Sequence, residues 1–238
     1  MGLGITQASI VSAVCDKTGD EGQDAVVKIR RLINEKGPDF CMLANWPFLR
    51  TDINFSITTA AYKYSGASYL PATFKKVTAA FLLDGTTRCP LKEVGILEAY
   101  SWDNPEDYSG RPDEYCITRM ESGYWEIQFN RQPDTTYTIY MEIELQWSDL
   151  TTTTSETLIT KEYFGAFSHF VAMTRAFQQG DVELYSQLKT DWYNPLQPRE
   201  GIFGRILSSL SSPNRQNSVI VNIEKCGQLL PPIHNDYN

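Results

Sequence analysis

Two carboxylates, Glu142 and Glu144, stand two residues apart in a segment that alternates between apolar and polar side chains. On an extended strand this spacing puts both on one face, roughly 7 Å apart. Paired carboxylates are what glycoside hydrolysis requires. The same spacing also suits an ordinary solvent-facing strand or the acidic lining of a passage. No apolar pocket or further polar constellation is visible beside the pair to drive their acidities apart. Nucleophilic catalysis of the Ser-His-Asp or Cys-His kind needs an imidazole with two partners. The histidines are His169, inside an aromatic helical segment, and His234, near the chain end, and both read as structural. There is no G-x-x-x-x-G-K-[ST] loop and no H-E-x-x-H, and Gly2-Leu3-Gly4 lacks the third glycine and preceding strand of a dinucleotide fingerprint. The cysteines Cys15, Cys41, Cys89, Cys116 and Cys226 are widely spaced, odd in number and form no C-x-x-C. That pattern supports neither a disulfide framework nor a zinc ribbon and fits a reducing interior. Trp46, Phe48, Tyr62, Tyr64, Tyr69, Tyr124 and Trp125 could stack on bases or sugars, although packing is the commoner use of such rings.

The elements that must position these residues come in three runs. Two helices open the chain. Thr6 caps the first, with Ile5 and Ile10 as a hydrophobic staple and Gly19 as its stop. Asp20 and Gln23 resemble a capping box for the second, in which Val26, Ile29, Leu32 and Ile33 follow helical period until Gly37-Pro38. Its cations Lys28, Arg30, Arg31 and Lys36 suit a solvated face or an acidic partner. From Arg50 the period shortens to two: Asn54–Thr58 alternates, Val77–Leu83 runs into the turn pair Asp84-Gly85, and Tyr124–Phe129 is an aromatic strand. In Ile139–Trp147, Ile139, Met141, Ile143, Leu145 and Trp147 share one face. Ser101–Glu114 is rich in turn residues and reads as a surface loop. Helical spacing returns with Ile159, Tyr163, Phe167, Phe170, Thr174 and Phe177, and Gly180-Asp181 joins this helix to a second one through Tyr185, Leu188 and Trp192.

The expected fold class is therefore α+β: a helical body with an inserted antiparallel β domain and an extended C-terminal arm. Its parts are N-terminal helices at 1–49, a β-rich insertion at 50–148, a closing helical hairpin at 149–198 and the arm at 199–238. In the arm, Ile202, Phe203, Ile206, Leu207 and Leu210 form an amphipathic stripe, and Ser218–Ile223, with Val219 and Val221, alternates like a strand. Stretches this apolar and this short pack back on the body or onto a neighbour. With Arg205 as the stripe's only cation, protein contact is a better expectation than membrane docking.

With 238 residues, 42% of them hydrophobic, the chain can bury a full core, so wholesale disorder is not expected. Lys plus Arg total 21 against 29 Asp plus Glu, a net charge of −8, which argues against general nucleic-acid binding. The first residues lack a basic region and a long apolar core, so they do not read as a signal peptide. No apolar run is long enough to span a bilayer. A soluble, cytoplasmically made protein is expected.

One family joins these fragments in order. Trp46-Pro-Phe-Leu-Arg50, Tyr69-Leu-Pro71 with Phe74-Lys75, Asp84-Gly85 followed by Pro90-Leu91, and Gly110-x-Pro112 followed by Tyr115-x-Ile117 resemble the head-to-tail adaptor (connector) proteins of tailed phages, relatives of the tail tubular protein of short-tailed phages. Phe129-Asn-Arg-Gln-Pro133-Asp134 is similar to their strand-to-turn element, and the Gly180-Asp181 joint is similar too. The likeness covers roughly residues 20–195, and the arm from Arg199 departs from it. The resemblance implies a twelve-subunit ring of this chain in the virion, at the head–tail interface beneath the portal protein. The ring would extend the DNA channel, dock tail tube, nozzle or spike proteins and help retain the packaged genome. DNA would pass through without specific binding, and the resemblance implies no membrane, no catalysis and no cofactor. Glu142 and Glu144, or the acidic loop of Asp103, Glu106 and Asp107, would then be candidate channel-lining residues. Ile202, Phe203, Ile206, Leu207, Leu210, Val219 and Val221 would be candidate contacts to the portal or a neighbouring subunit. Three other expectations stand beside this one: a tail tubular protein one level lower, a carbohydrate-binding tail module, or a small hydrolase using Glu142 and Glu144.

Overall fold

The computed structural model describes residues 5–102, 104–119, 123–194 and 201–210, excepting the side chains of 207 and 209. In chain order it contains α1 (Gln7–Thr18), α2 (Gln23–Met42), a 3-10 turn at Pro47–Leu49, β1 (Arg50–Ile57), β2 (Lys63–Ser65), β3 (Phe74–Asp84), β4 (Thr87–Pro90), β5 (Lys92–Glu93), α3 (Ile96–Ala99), β6 (Glu114–Arg119), β7 (Trp125–Phe129), β8 (Tyr137–Leu145), α4 (Lys161–Gln179), α5 (Val182–Tyr193) and α6 (Ile202–Leu210). The chain is α+β. It divides into a unit from Arg50 to Gln146 and a second unit made of the residues before and after it.

The discontinuous unit is helical. Thr6 caps α1 by accepting from the Ser9 amide at 3.3 Å, and Gly19 closes it in the left-handed conformation. Gly180 closes α4 in the same conformation, and the Asp181 side chain immediately caps α5 by accepting from the Leu184 amide at 2.9 Å. The core gathers aromatic rings from separate segments. Phe40 stacks on Trp46 at 4.6 Å, meets Phe167 edge-on at 5.1 Å and lies beside Phe170. Trp46 is fully buried and its Nε1–H donates to the Phe40 carbonyl at 2.8 Å.

Three local expectations give way here to long-range contacts. Helix α2 continues through Pro38 to Met42, because Phe40 must reach the core on the same face as Ile33. Gly37 is no stop: its missing side chain makes room for the Trp147 indole, whose Cε2 would lie 2.1 Å from an added Cβ. Trp147 accordingly leaves the strand face on which alternation placed it. Strand β8 ends at Leu145 and the indole packs near Phe167, at 5.4 Å, in the helical unit. Asp20 does not cap α2, whose N-cap is Gly22 without a side-chain bond. Its carboxylate instead takes both Nε (2.8 Å) and Nη2 (2.5 Å) of Arg175, a buried guanidinium that would be costly to leave unpaired.

The β unit holds two four-stranded sheets, ordered β1-β8-β3-β4 and β2-β7-β6-β5. All pairs are antiparallel except β5 with β6, which is parallel. Gly85 (φ 59°) turns the β3–β4 hairpin. The sheets meet through ring contacts: Phe74 on Trp125 at 5.0 Å, and Tyr64 against Phe55 at 6.4 Å.

Candidate functional site

Strand β8 sits between β1 and β3, so its outward row of Tyr140, Glu142 and Glu144 is flanked on both sides. Register brings Arg50 opposite Glu144 and Asp52 opposite Glu142 from β1, and Lys76 opposite Glu144 from β3. A bulge between Phe74 and Lys76 lets Lys75 reach the same carboxylate. Glu144 Oε1 and Oε2 accept from Lys75 Nζ at 2.5 Å and Lys76 Nζ at 3.0 Å, and Arg50 Nη1 lies 3.6 Å from Glu142 Oε1. Burial pushes the Glu144 carboxyl up, but the two ammonium groups outweigh it and hold it below the ordinary value. The side chains thus share a face as their spacing requires, yet the face is charge-balanced rather than acidic: Asp52, Glu142 and Glu144 stand among Arg50, Lys75 and Lys76. A carboxyl held ionised by two lysines is also poorly suited to donate a proton to a leaving group. Beside it, Tyr140 stacks on Phe81 at 5.1 Å with an interplanar angle of 4°, and Arg88 covers Phe81 at 5.0 Å.

His169 is buried between α4 and α5. Its Nε2–H donates to the Leu188 carbonyl at 2.8 Å and its ring stacks on Trp192 at 6.0 Å. Burial holds its pKa below that of an ordinary imidazole, as suits a neutral helix-to-helix tie. Trp192 stacks in turn on Phe203 of α6 at 5.4 Å. That contact decides how the expected arm residues are used. Phe203 and Leu210 are 5% and 2% exposed and belong to the helical core, with Ile202 and Ile206 packed against it. Phe203 and Leu210 therefore serve the chain's own body, because the apolar face of α6 finds its cover on α5, while Ile202 and Ile206 stay half-buried beside them. Gly201 permits the close approach, since a Cβ there would lie 2.7 Å from the Trp192 carbonyl oxygen. The Leu207 side chain, Val219, Val221, His234, Cys226 and Asp103 lie outside the described residues.

Of the aromatics that could have formed a stacking platform, Trp46 and Tyr64 are buried, and the Tyr64 hydroxyl donates to the backbone carbonyl of Ala61 at 2.8 Å. Tyr124 is exposed. Among the large exposed apolar side chains, Leu97 is 86% exposed and Tyr100 81%, on and just after α3, and Tyr108 stands out on the following loop; Val27, Met42, Phe177 and Val182 are exposed in the helical unit. The base of Leu97 and Tyr100 carries surface ion pairs. Lys92 Nζ reaches Glu98 at 3.0 Å and Glu114 at 2.9 Å, and the Trp102 indole donates to Glu114 at 3.3 Å. A single helical turn is too short to show a period, and the spacing Leu97–Tyr100 was its only signal.

Among the described residues, no group of His, Cys, Asp and Glu is placed to hold a metal, and no helix is long and apolar enough to cross a membrane. Cys15, Cys89 and Cys116 are free thiols. No family model matches the chain, and no curated protein matches it.

Proposed function

We propose that this chain is a structural protein of a tailed-phage virion, a head-to-tail adaptor that assembles as a ring under the portal protein, extends the DNA channel and docks tail components. The observation that carries the reading is the β unit, Arg50–Gln146, inserted into a helical unit that α4 and α5 close after it. This is the layout the family resemblance implies, and the motifs of that resemblance fall in order along it. Trp46 and Pro47 stand where the helical unit hands over to the β unit. Pro71 precedes β3, Asp84-Gly85 turns its hairpin, and Tyr115 to Ile117 lie in β6. The exposed Leu97 and Tyr100, beside the ion pairs of Lys92, fit a protein whose work is contact with other proteins. A charge-balanced β8 face would let DNA slide past without the counterion release that drives binding.

The test is assembly. Native mass spectrometry and negative-stain imaging of the purified chain, alone and mixed with a portal ring, are expected to show a closed ring that joins the portal coaxially. A chain that stays monomeric and ignores the portal in every buffer would overturn the reading. A ring that binds beneath an adaptor already in place would instead assign it to the tail tubular level.

A further inference from the structure

We propose that the free edge of β1 receives a strand, residues 218–223, from a second copy of this chain, so that each copy gives one strand and takes one. The inference rests on the ring reading and names the contact that would close the ring. Sheet edges are ordinarily blunted by shortness, proline or charge. Three of the four edges here obey: β4 has 4 residues and ends on Pro90, β2 has 3 and β5 has 2. Strand β1 has 8 residues and no proline, and its charges, Arg50 and Asp52, stand in the outward row, opposite Glu144 and Glu142 of β8. Among the described residues, the backbone of Thr51–Ile57 bonds to β8 alone. Its core-facing row is Thr51, Ile53, Phe55 and Ile57. Phe55 and Ile57 are buried, yet Ile53 is only half-buried and Thr51 is exposed, although their β8 partners Met141 and Ile143 are both buried. The first half of this edge lacks a neighbour on the core side, which is what an added strand supplies.

The segment Ser-Val-Ile-Val-Asn-Ile at 218–223 has the right chemistry. It is uncharged and free of proline, and Val219, Val221 and Ile223 recur with period two. Laid antiparallel with Val221 opposite Ile53, it sets Val219 beside Phe55 and Ile223 over Thr51. Ser218, Ile220 and Asn222 then face outward beside Ser56, Asn54 and Asp52. The pairing supplies about six main-chain hydrogen bonds. Val221 is eleven residues past Leu210, a span of up to about 36–40 Å when extended, enough to leave the body that α6 is packed on. The giving and receiving surfaces differ, so the contact is heterologous, and heterologous contacts that close generate rings.

The experiment mixes full-length Ile53→Cys chain with differently tagged full-length Val221→Cys chain under mild oxidation, with each single variant as background for the native cysteines. Opposed residues of an antiparallel pair hold their Cβ atoms about 4.5–5.5 Å apart, close enough for a disulfide after slight adjustment. The expected result is a mixed-tag disulfide dimer formed at least about ten-fold faster than with Asn222→Cys, whose side chain points to the opposite face. The Val219→Asp/Val221→Asp variant, altered only in the arm, is expected to lose ring assembly at least about ten-fold. Equal rates for Val221→Cys and Asn222→Cys, or Ile53→Cys linking to itself at the same rate, would overturn the proposal, the second by showing that β1 pairs with β1. Rings that form without the mixed bond overturn strand exchange and leave the ring standing, whereas a chain monomeric at every concentration overturns both.

Discussion

Gly37→Ala should destabilise the protein even though it places a better helix former in the middle of α2. By propensity alone, alanine stabilises a helix interior by about 1 kcal/mol over glycine. Here the added Cβ would lie 2.1, 2.3 and 2.5 Å from Cε2, Cδ2 and Cζ2 of Trp147. These are atoms of a rigid ring wedged beside Phe167, so the indole has to leave. Overpacking costs about 1–3 kcal/mol, and full loss of a buried aromatic sets a ceiling of about 3–5 kcal/mol. Trp147 is half-buried, so the net expectation is a loss of about 2–3 kcal/mol. In urea that is a drop of about 1 M in the unfolding midpoint at unchanged slope. The sharper measurement is the double-mutant cycle. In a Trp147→Ala background the obstruction is gone, and the same glycine-to-alanine change should become stabilising by about 1 kcal/mol. A Gly37→Ala protein as stable as the parent, or one that loses the same amount with and without Trp147, would refute the argument that the indole dictates this glycine.

Asp20→Ala leaves the buried Arg175 guanidinium unpaired and should cost about 3 kcal/mol, read by urea titration; the Asp20→Leu/Arg175→Met pair should cost less than either single change, and a larger loss would count against the ion-pair account. Gly201→Ala pushes a Cβ to 2.7 Å from the Trp192 carbonyl oxygen and 2.8 Å from the Tyr193 carbonyl carbon; neither backbone atom can retreat, so α6 should detach and become cleavable by limited proteolysis, whereas unchanged protection would contradict the packing. Burial lowers the His169 pKa in the folded chain. As pH falls, the unfolded state therefore takes the proton first, so this contribution is complete above about pH 6.5 and is lost as the pH falls toward the folded pKa. Between pH about 7.5 and about 5 the parent's urea midpoint should fall further than that of His169→Gln, whose amide can still donate to Leu188, and parallel falls would remove His169 from the account.

What could be read in the sequence was whatever local chemistry decides. The α4–α5 joint was legible because Gly180 and Asp181 act on their own neighbours, one by adopting a left-handed backbone, the other by capping three residues ahead. Thr6 and Gly19 were legible for the same reason. Gly37-Pro38 carries an equally strong local signal and misleads, because the cause of the glycine lies at Trp147, far along the chain. The proline is tolerated because Phe40, two residues later, is held among Trp46, Phe167 and Phe170. Alternation likewise carried the β8 strand two residues too far, since a period cannot tell a ring facing the sheet's core from one crossing into another unit.

The same division governs the candidate site. That Glu142 and Glu144 share a face follows from strand geometry; that lysines and an arginine neutralise them follows from register and a bulge in β3, which no local pattern records. The stripe of α6 announced that a face must be covered without saying by what, and the cover is Trp192 and the helical core. Phe203 and Leu210 are committed there, while Ile202 and Ile206 stay half-buried. Apolar or unpaired surface is also left open at Leu97 and Tyr100, on and just after α3, and along the edge of β1. Both lie in the inserted β unit. If the chain assembles as proposed, substitutions there should change assembly at constant stability, and substitutions on the inner face of α6 should change stability first.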